Sequence, residues 1–306
     1  MAEVVLRPYN QEKDAQRAYP LYQDTLGQRW PLQNAQFAQA TATGQSVGCL
    51  AISAAKTIGI CCAGHQGETG QISVLMVDPQ HQRQGVGTAL LADTLEQMQQ
   101  RGVKEVHVGS GVGSYIWPGI PKNIPGALGF FQRHGFEVYE DSVDMGLPLT
   151  SWRDAPTSIY AKLPSSVKVH SAKAEHMHEL IAMVKDNFAQ WLDGYQALLE
   201  NQQFDRILLA SQQGRIVGVT MVEPDTCMWK GLFPGPVGSL SALGVAESAR
   251  SQGIGLALAA RATDMLREQG MAWAYLGWTW LVDWYGQIGY KTWRTYAMAK
   301  RALKAH

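Results

Sequence analysis

Ile72-Ser-Val-Leu-Met-Val-Asp-Pro-Gln-His-Gln-Arg-Gln-Gly-Val-Gly-Thr-Ala-Leu-Leu91 and, further along the chain, Leu240-Ser-Ala-Leu-Gly-Val-Ala-Glu-Ser-Ala-Arg-Ser-Gln-Gly-Ile-Gly-Leu-Ala-Leu-Ala259 are two versions of one unit. They stand 168 residues apart: Ser73 answers to Ser241, Val77 to Val245, and Gly85 and Gly87 to Gly253 and Gly255. In each, an apolar run gives way to a short polar loop with two glycines. A stretch with apolar residues at helical spacing follows, Leu91, Leu95 and Met98 in one and Leu258, Ala262 and Met265 in the other. That pattern predicts a strand, a tight turn and a helix.

Outward from this unit the correspondence continues. Each copy next has a strand candidate, Val103–Val108 and Met271–Leu276, and then an aromatic, three residues, Gly and an aromatic. These endings are Phe131-Gln-Arg-His-Gly-Phe136 and Tyr285-Gly-Gln-Ile-Gly-Tyr290. Upstream, each copy has two strand candidates, Ser46–Ser53 with Ile58–Ala63 and Arg206–Ala210 with Ile216–Val222, preceded by a helix-like stretch. The sequence is a duplication, and its 306 residues suit two domains. Gly146–Ser166 holds Pro148, Pro156 and Pro164 among Ser and Thr and marks the boundary. The expected plan is an α/β domain over residues 1–150, a linker over 151–166 and a second α/β domain over 167–306.

The loops carry the chemistry. A strand that ends in a loop opening a helix points free backbone N–H groups outward, where the helix dipole favours negative charge. Gly85 and Gly87, like Gly253 and Gly255, let a phosphate approach with no Cβ in the way. One such loop reads equally as a turn that needs glycine; two in the same context point to a nucleotide phosphate. Gln82-Arg83-Gln84-Gly85-Val86-Gly87 and Arg250-Ser251-Gln252-Gly253-Ile254-Gly255 resemble the Q/R-x-x-G-x-G/A signature of the GNAT superfamily of N-acetyltransferases. The resemblance covers nearly the whole chain as two tandem modules, a plan similar to that of the mycothiol synthases. It implies in each module a mixed, mostly antiparallel sheet flanked by helices, with the fourth and fifth strands splayed apart at a bulge. It also implies acetyl-CoA as the cofactor. The pyrophosphate would rest on the two loops, up to the helical residues Thr88 and Leu256. The pantetheine would run along Leu75, Met76 and Val77, and along Leu243, Gly244 and Val245.

Acetyl transfer to an amine requires loss of a proton from the amine, stabilisation of an oxyanion and a proton for the leaving thiolate. The resemblance implies a Tyr as the acid, at the first position of Y-x-x-x-G-F. The second module has Tyr285 there and the first has Phe131, which has no proton to give. A core aromatic with a wet hydroxyl is the plainer reading of Tyr285. Neither fourth strand carries a carboxylate before its end. Glu223, Asp225 and Asp283 stand near the expected second cleft but read as well as loop or cap residues, and a water chain would serve. Trp273, Trp278, Trp280, Trp284 and Trp293 crowd the second module, as core or as an aromatic wall for a sugar, a ring or an ammonium. The first module instead has a Gly- and Pro-rich stretch over residues 109–125. It reads as a shaped loop over the cleft, with Tyr115, Trp117 and Lys122 as ligand contacts, or as a structural lid.

Composition narrows the partners. Lys plus Arg and Asp plus Glu are 26 each, so no net basic field draws nucleic acid or anionic lipid. Hydrophobic residues at 46% and charged residues at 17% fit a globular core. No apolar run reaches a membrane span of roughly 18 residues, and the start lacks a secretory pattern. Cys49, Cys61, Cys62 and Cys227 match neither a disulfide framework nor a CxxC metal pair, so a reduced, cytoplasmic protein is expected. Gly109-Ser-Gly-Val-Gly imitates a dinucleotide fingerprint, but prolines follow where a helix must open. The eight histidines show no HExxH spacing for a metal hydrolase. The expected activity is transfer from acetyl-CoA to a primary amine of a small molecule. The alternative is an acyl-CoA sensor or scaffold with one or both modules non-catalytic. A homodimer stays open.

Overall fold

Along the chain run β1 (Val5–Pro8), α1 (Gln11–Tyr22), α2 (Asn34–Ala40), β2 (Ser46–Ser53), β3 (Lys56–Gln66), β4 (Thr69–Val77), α3 (Val86–Gln100), β5 (Glu105–Val108), β6 (Ile120–Pro121), α4 (Ala127–Arg133) and β7 (Glu137–Pro148). There follow α5 (Thr157–Tyr160), β8 (Val167–Ser171), α6 (Met177–Asn187), α7 (Leu192–Glu200), β9 (Ile207–Gln212), β10 (Arg215–Glu223), β11 (Val237–Val245), α8 (Ile254–Glu268), β12 (Trp273–Thr279), α9 (Val282–Gly286) and β13 (Lys291–Ala302). The structure, a computed structural model, describes residues 3–42, 45–111, 115–153, 157–224 and 227–304. β4 and β11, and α3 and α8, keep the offset of the sequence repeat residue for residue.

The chain packs as two compact units, Met1–Val143 with Arg294–His306, and Asp144–Trp293. In the first, the sheet runs β1-β2-β3-β4-β5-β13, antiparallel throughout except for the parallel β4–β5 pair. In the second, it runs β8-β9-β10-β11-β12 and ends on the Asp144–Pro148 part of β7, with β11–β12 parallel. Both are mixed, mostly antiparallel sheets flanked by helices, as expected. The repeat in the sequence and the division into units do not coincide, because the last strand of the chain lies in the first unit.

Helix and sheet meet closely because glycine stands where they touch. A Cβ on Gly70 would lie 2.7 Å from the Met98 sulfur, and one on Gly238, its repeat partner, 2.5 Å from a Leu266 methyl. α3 buries Leu90, Leu91, Leu95 and Met98 against one face of the first sheet. α8 does the same in the second unit, where Leu258 and Ile254 meet Gly218. Val219 and Met221 face the other way, into a core with Leu180, Val184 and Tyr195 of α6 and α7, as strand alternation requires. Part of the stretch expected as a linker is folded onto α8. Trp152 Nε1 donates to Asp264 Oδ1 at 2.8 Å, and Ile159 of α5 is buried.

Candidate active sites

The sheet forks in both units. β4 pairs with β5 only from Thr69↔Glu105 to Ile72↔Val108, and β11 with β12 only from Val237↔Trp273 to Ser239↔Tyr275. Beyond those points each fourth strand keeps its antiparallel partner but leaves the fifth. A bulge accompanies each fork. The β3–β4 register slips between Cys62 and Ala63, opposite Ser73, and the β10–β11 register between Val219 and Met221, where Ala242 takes a φ of 48°. The backbone edges of Leu75–Val77 and Leu243–Val245 therefore face an open fork.

The loops that follow are copies in geometry. Arg83 and Ser251 have φ of 62° and 61°, and Gly85 and Gly253 have φ of 84° and 79°. Gln82 Nε2 donates to Val77 O at 3.0 Å, and Arg250 Nε to Val245 O at 3.1 Å. Thus the first residue of each motif ties the loop to the end of its strand. Gln84 Nε2 reaches back to Gln80 O at 2.9 Å, and Gln252 Oε1 accepts from Gln212 at 2.9 Å. No side chain caps either α3 or α8, so the N–H groups of Val86, Gly87 and Thr88, and of Ile254, Gly255 and Leu256, stay unspent within the helix. This is the cradle a pyrophosphate needs.

In the first unit these parts enclose a cleft of 490 Å3. Leu75–Val77, Gln82, Arg83, Gly85, Gly87 and Thr88 form one side, and Ile124–Ala127 with Phe130 and Phe131 form another. Thr25 and Leu26 complete it from the turn after α1. Arg83, Arg133 and His134 reach its edge. His134 Nδ1 lies 2.8 Å from Phe130 O, and Nε2 lies 3.1 Å from the Thr88 hydroxyl. A carbonyl only accepts, so Nδ1 carries the hydrogen. The volume, apolar walls and cationic rim suit a coenzyme A thioester.

The acetyltransferase (GNAT) domain model matches residues 35–138, and the acetyltransferase (GNAT) family model matches residues 176–281. The chain belongs to the GNAT acetyltransferases. No curated protein sequence matches it significantly. Among solved structures, it is similar over 98% of its length, at 25% identity and a TM-score of 0.88, to a GCN5-related glucosamine N-acetyltransferase region of a fungal multi-domain GH3 beta-N-acetylglucosaminidase. It spans only 38% of that longer chain. The fold is also similar to that of a GCN5-related N-acetyltransferase from Sphaerobacter thermophilus, at 17% identity and a TM-score of 0.72, covering 98% of this chain and 95% of that one. A tandem GNAT protein from the clavulanic acid biosynthesis pathway shares the fold at 15% identity and a TM-score of 0.67, with 98% of each chain covered.

The two GNAT modules differ at the fork. Tyr285 is 6% exposed on α9, its ring 4.6 Å from Trp284 and 6.0 Å from Tyr290, both edge-on. Burial pushes its phenol above the usual range, so it is protonated at neutral pH. Trp284 lies over Gly255 as Phe130 lies over Gly87. Phe188 covers Gly244, the place of Met76. Ser241 donates to Glu223 Oε2 at 2.6 Å, and Tyr195 donates to Ala242 O at 2.7 Å, so a carboxylate is held beside the bulge. In the first module the Ser73 hydroxyl is buried without a hydrogen-bond partner. Asp283 is exposed, and Asp225 lies outside the described residues.

The loop of the first module splits its tasks. Trp117 is buried against Trp30, with ring centroids 5.7 Å apart, and Lys122 pairs with Asp141 at 2.5 Å. Tyr115 stands at the surface, while Ile124–Ala127 line the cleft. Sequence reasoning missed Thr25, Leu26, Arg133 and His134. The first two have no motif, and the last two sit inside the F-x-x-x-G-F ending, where any polar residue would look alike.

Proposed function

We propose that the protein transfers the acetyl group of acetyl-CoA to a primary amine of a small molecule by direct attack. The observation that carries this reading is the doubled fork with an uncapped, left-handed glycine loop at the helix start. The first acceptor to test is glucosamine, because the fungal relative is described as acting on it. When bound, the thioester supplies an activated acetyl carbon. The amine nitrogen forms the new C–N bond, the C–S bond breaks, the nitrogen loses a proton and the sulfur gains one. In this reading Glu223, held by Ser241, takes the first proton, and Tyr285, kept neutral by burial, gives the second. With Phe131 in place of that Tyr, the first module holds cofactor rather than turning it over. Four free, buried cysteines fit a reducing compartment such as the cytoplasm.

The experiment is release of free thiol from acetyl-CoA with a panel of amines. Turnover with an amino sugar is expected. Tyr285→Phe should lower kcat by about 100-fold while acetyl-CoA affinity stays the same, and full activity of that variant would remove Tyr285 from the mechanism. Tight binding of acetyl-CoA with no turnover on any amine would make the protein a sensor.

A further inference from the structure

The tryptophans of the second unit separate into two groups. Trp273 and Trp293 pack around Phe233, with centroids 5.4 and 4.9 Å away, and Trp284 is pressed onto the phosphate loop. Trp278 and Trp280 do otherwise. Trp280 is 62% exposed, Trp278 40% and Leu281 43%. They occupy the end of β12 and the turn into α9, at the mouth of the fork that β12 makes with β11 and five residues before Tyr285.

This turn is held in place. Trp278 has a φ of 54°, a left-handed backbone that a bulky side chain avoids. Its N–H donates at 2.9 Å to Oδ1 of Asp144, a carboxylate with no exposed surface. One turn further on, the Leu281 N–H donates to the buried Thr279 hydroxyl at 3.1 Å. Two buried polar groups thus hold a turn with left-handed backbone at Trp278, and Trp280 within it is displayed to solvent. Backbone of this kind clusters at functional sites, and an exposed indole leaves a large apolar face in water.

We propose that Trp280 is the acceptor platform of the second unit, and that the acceptor is an amino sugar whose ring lies on the indole face. This rests on the reading of the unit as an N-acetyltransferase. A protonated amino sugar offers what an indole binds: apolar C–H faces and a cationic group attracted to the ring quadrupole. An acyclic amine offers the charge but no face to stack.

The test uses the full chain, with glucosamine and with 2-aminoethanol, which has the amine and hydroxyl but no ring. Trp280→Ala should lower the preference for glucosamine over 2-aminoethanol by about tenfold, through KM for the sugar, and Trp280→Phe should restore most of it. The KM for acetyl-CoA should not move. An unchanged preference in an active Trp280→Ala enzyme overturns the platform and leaves the transferase reading standing, as does an equal loss for both amines. If the wild type acetylates neither amine, calorimetry with glucosamine decides the platform separately. Binding that Trp280→Ala abolishes keeps it; no binding, or binding that the variant leaves unchanged, overturns it.

Discussion

Asp14 is 1% exposed on α1, and burial alone would raise its carboxyl pKa. Two N–H groups of Arg7 at 2.8 and 2.6 Å and the Asn10 backbone N–H at 2.8 Å outweigh that and hold it below the usual value. A depressed pKa in the folded state adds stability above the unfolded value of about 3.9, and that stability is lost as pH falls through the folded value. Asp14→Asn should therefore lower Tm clearly at pH 7 and progressively less below about pH 4; a constant deficit down to pH 2.5 would show that the charge is irrelevant. The glycines of the two loops that open α3 and α8 are a second residue-scale case. A Cβ on Gly85 would meet nothing within 4 Å, so only its φ of 84° resists substitution. Gly85→Ala and Gly253→Ala should each cost on the order of 1 kcal/mol in stability. Calorimetric titration with coenzyme A should find two sites in the wild type and one in each variant.

Elements are legible where independent signals meet. β4, α3, β11 and α8 follow from an apolar run, helical spacing and the glycine loop between them, and β2 coincides with Ser46–Ser53. The tandem fold and the fork followed from the resemblance those loops carry. Less could be read where packing decides alone. The Pro-rich stretch after β7 looks like a tether, yet Trp152 and Ile159 fasten it to α8 through contacts with residues about a hundred positions away. Trp117 reads in the sequence as a ligand contact or as part of a structural lid, and it packs in the core against Trp30, which lies far upstream. Repeated packing does leave one signature, glycine at equal places in strands that carry a helix. Gly238→Ala would press on the Leu266 methyl 2.5 Å away. It should destabilise by about 1–3 kcal/mol in urea unfolding. Leu266→Ala should offset part of that loss, giving a non-additive double-mutant cycle. Additive effects would mean that the helix is free to lift.

At the scale of the molecule, the duplication and the units part company at the last strand. Repeat logic pairs β7 with β5 and β13 with β12, since each strand closes its own module. Instead β13 lies along β5, with Ala299↔Val108, Lys300↔His107, Arg301↔Val106 and Ala302↔Glu105, while the end of β7 follows β12. Both strands are 12 residues long, and local pattern says nothing about which neighbour a strand will choose. The choice is anchored by side chains: Arg301 Nη1 donates to His134 O at 2.8 Å, Gln99 Nε2 to Lys304 O at 2.7 Å, and Ala297 and Ala299 enter the first core. Truncation after Trp293 therefore tests the arrangement. By sequence halves it removes only the tail of the second module. By the observed pairing it strips one side of β5, exposes Val106 and Val108, and frees the His134 end of α4 beside the first cleft. Hydrogen exchange at Glu105–Val108 should accelerate to that of an edge strand, and coenzyme A binding that depends on Gly85 should weaken, although residues 1–150 are intact. Retained protection at Glu105–Val108 would place β13 elsewhere.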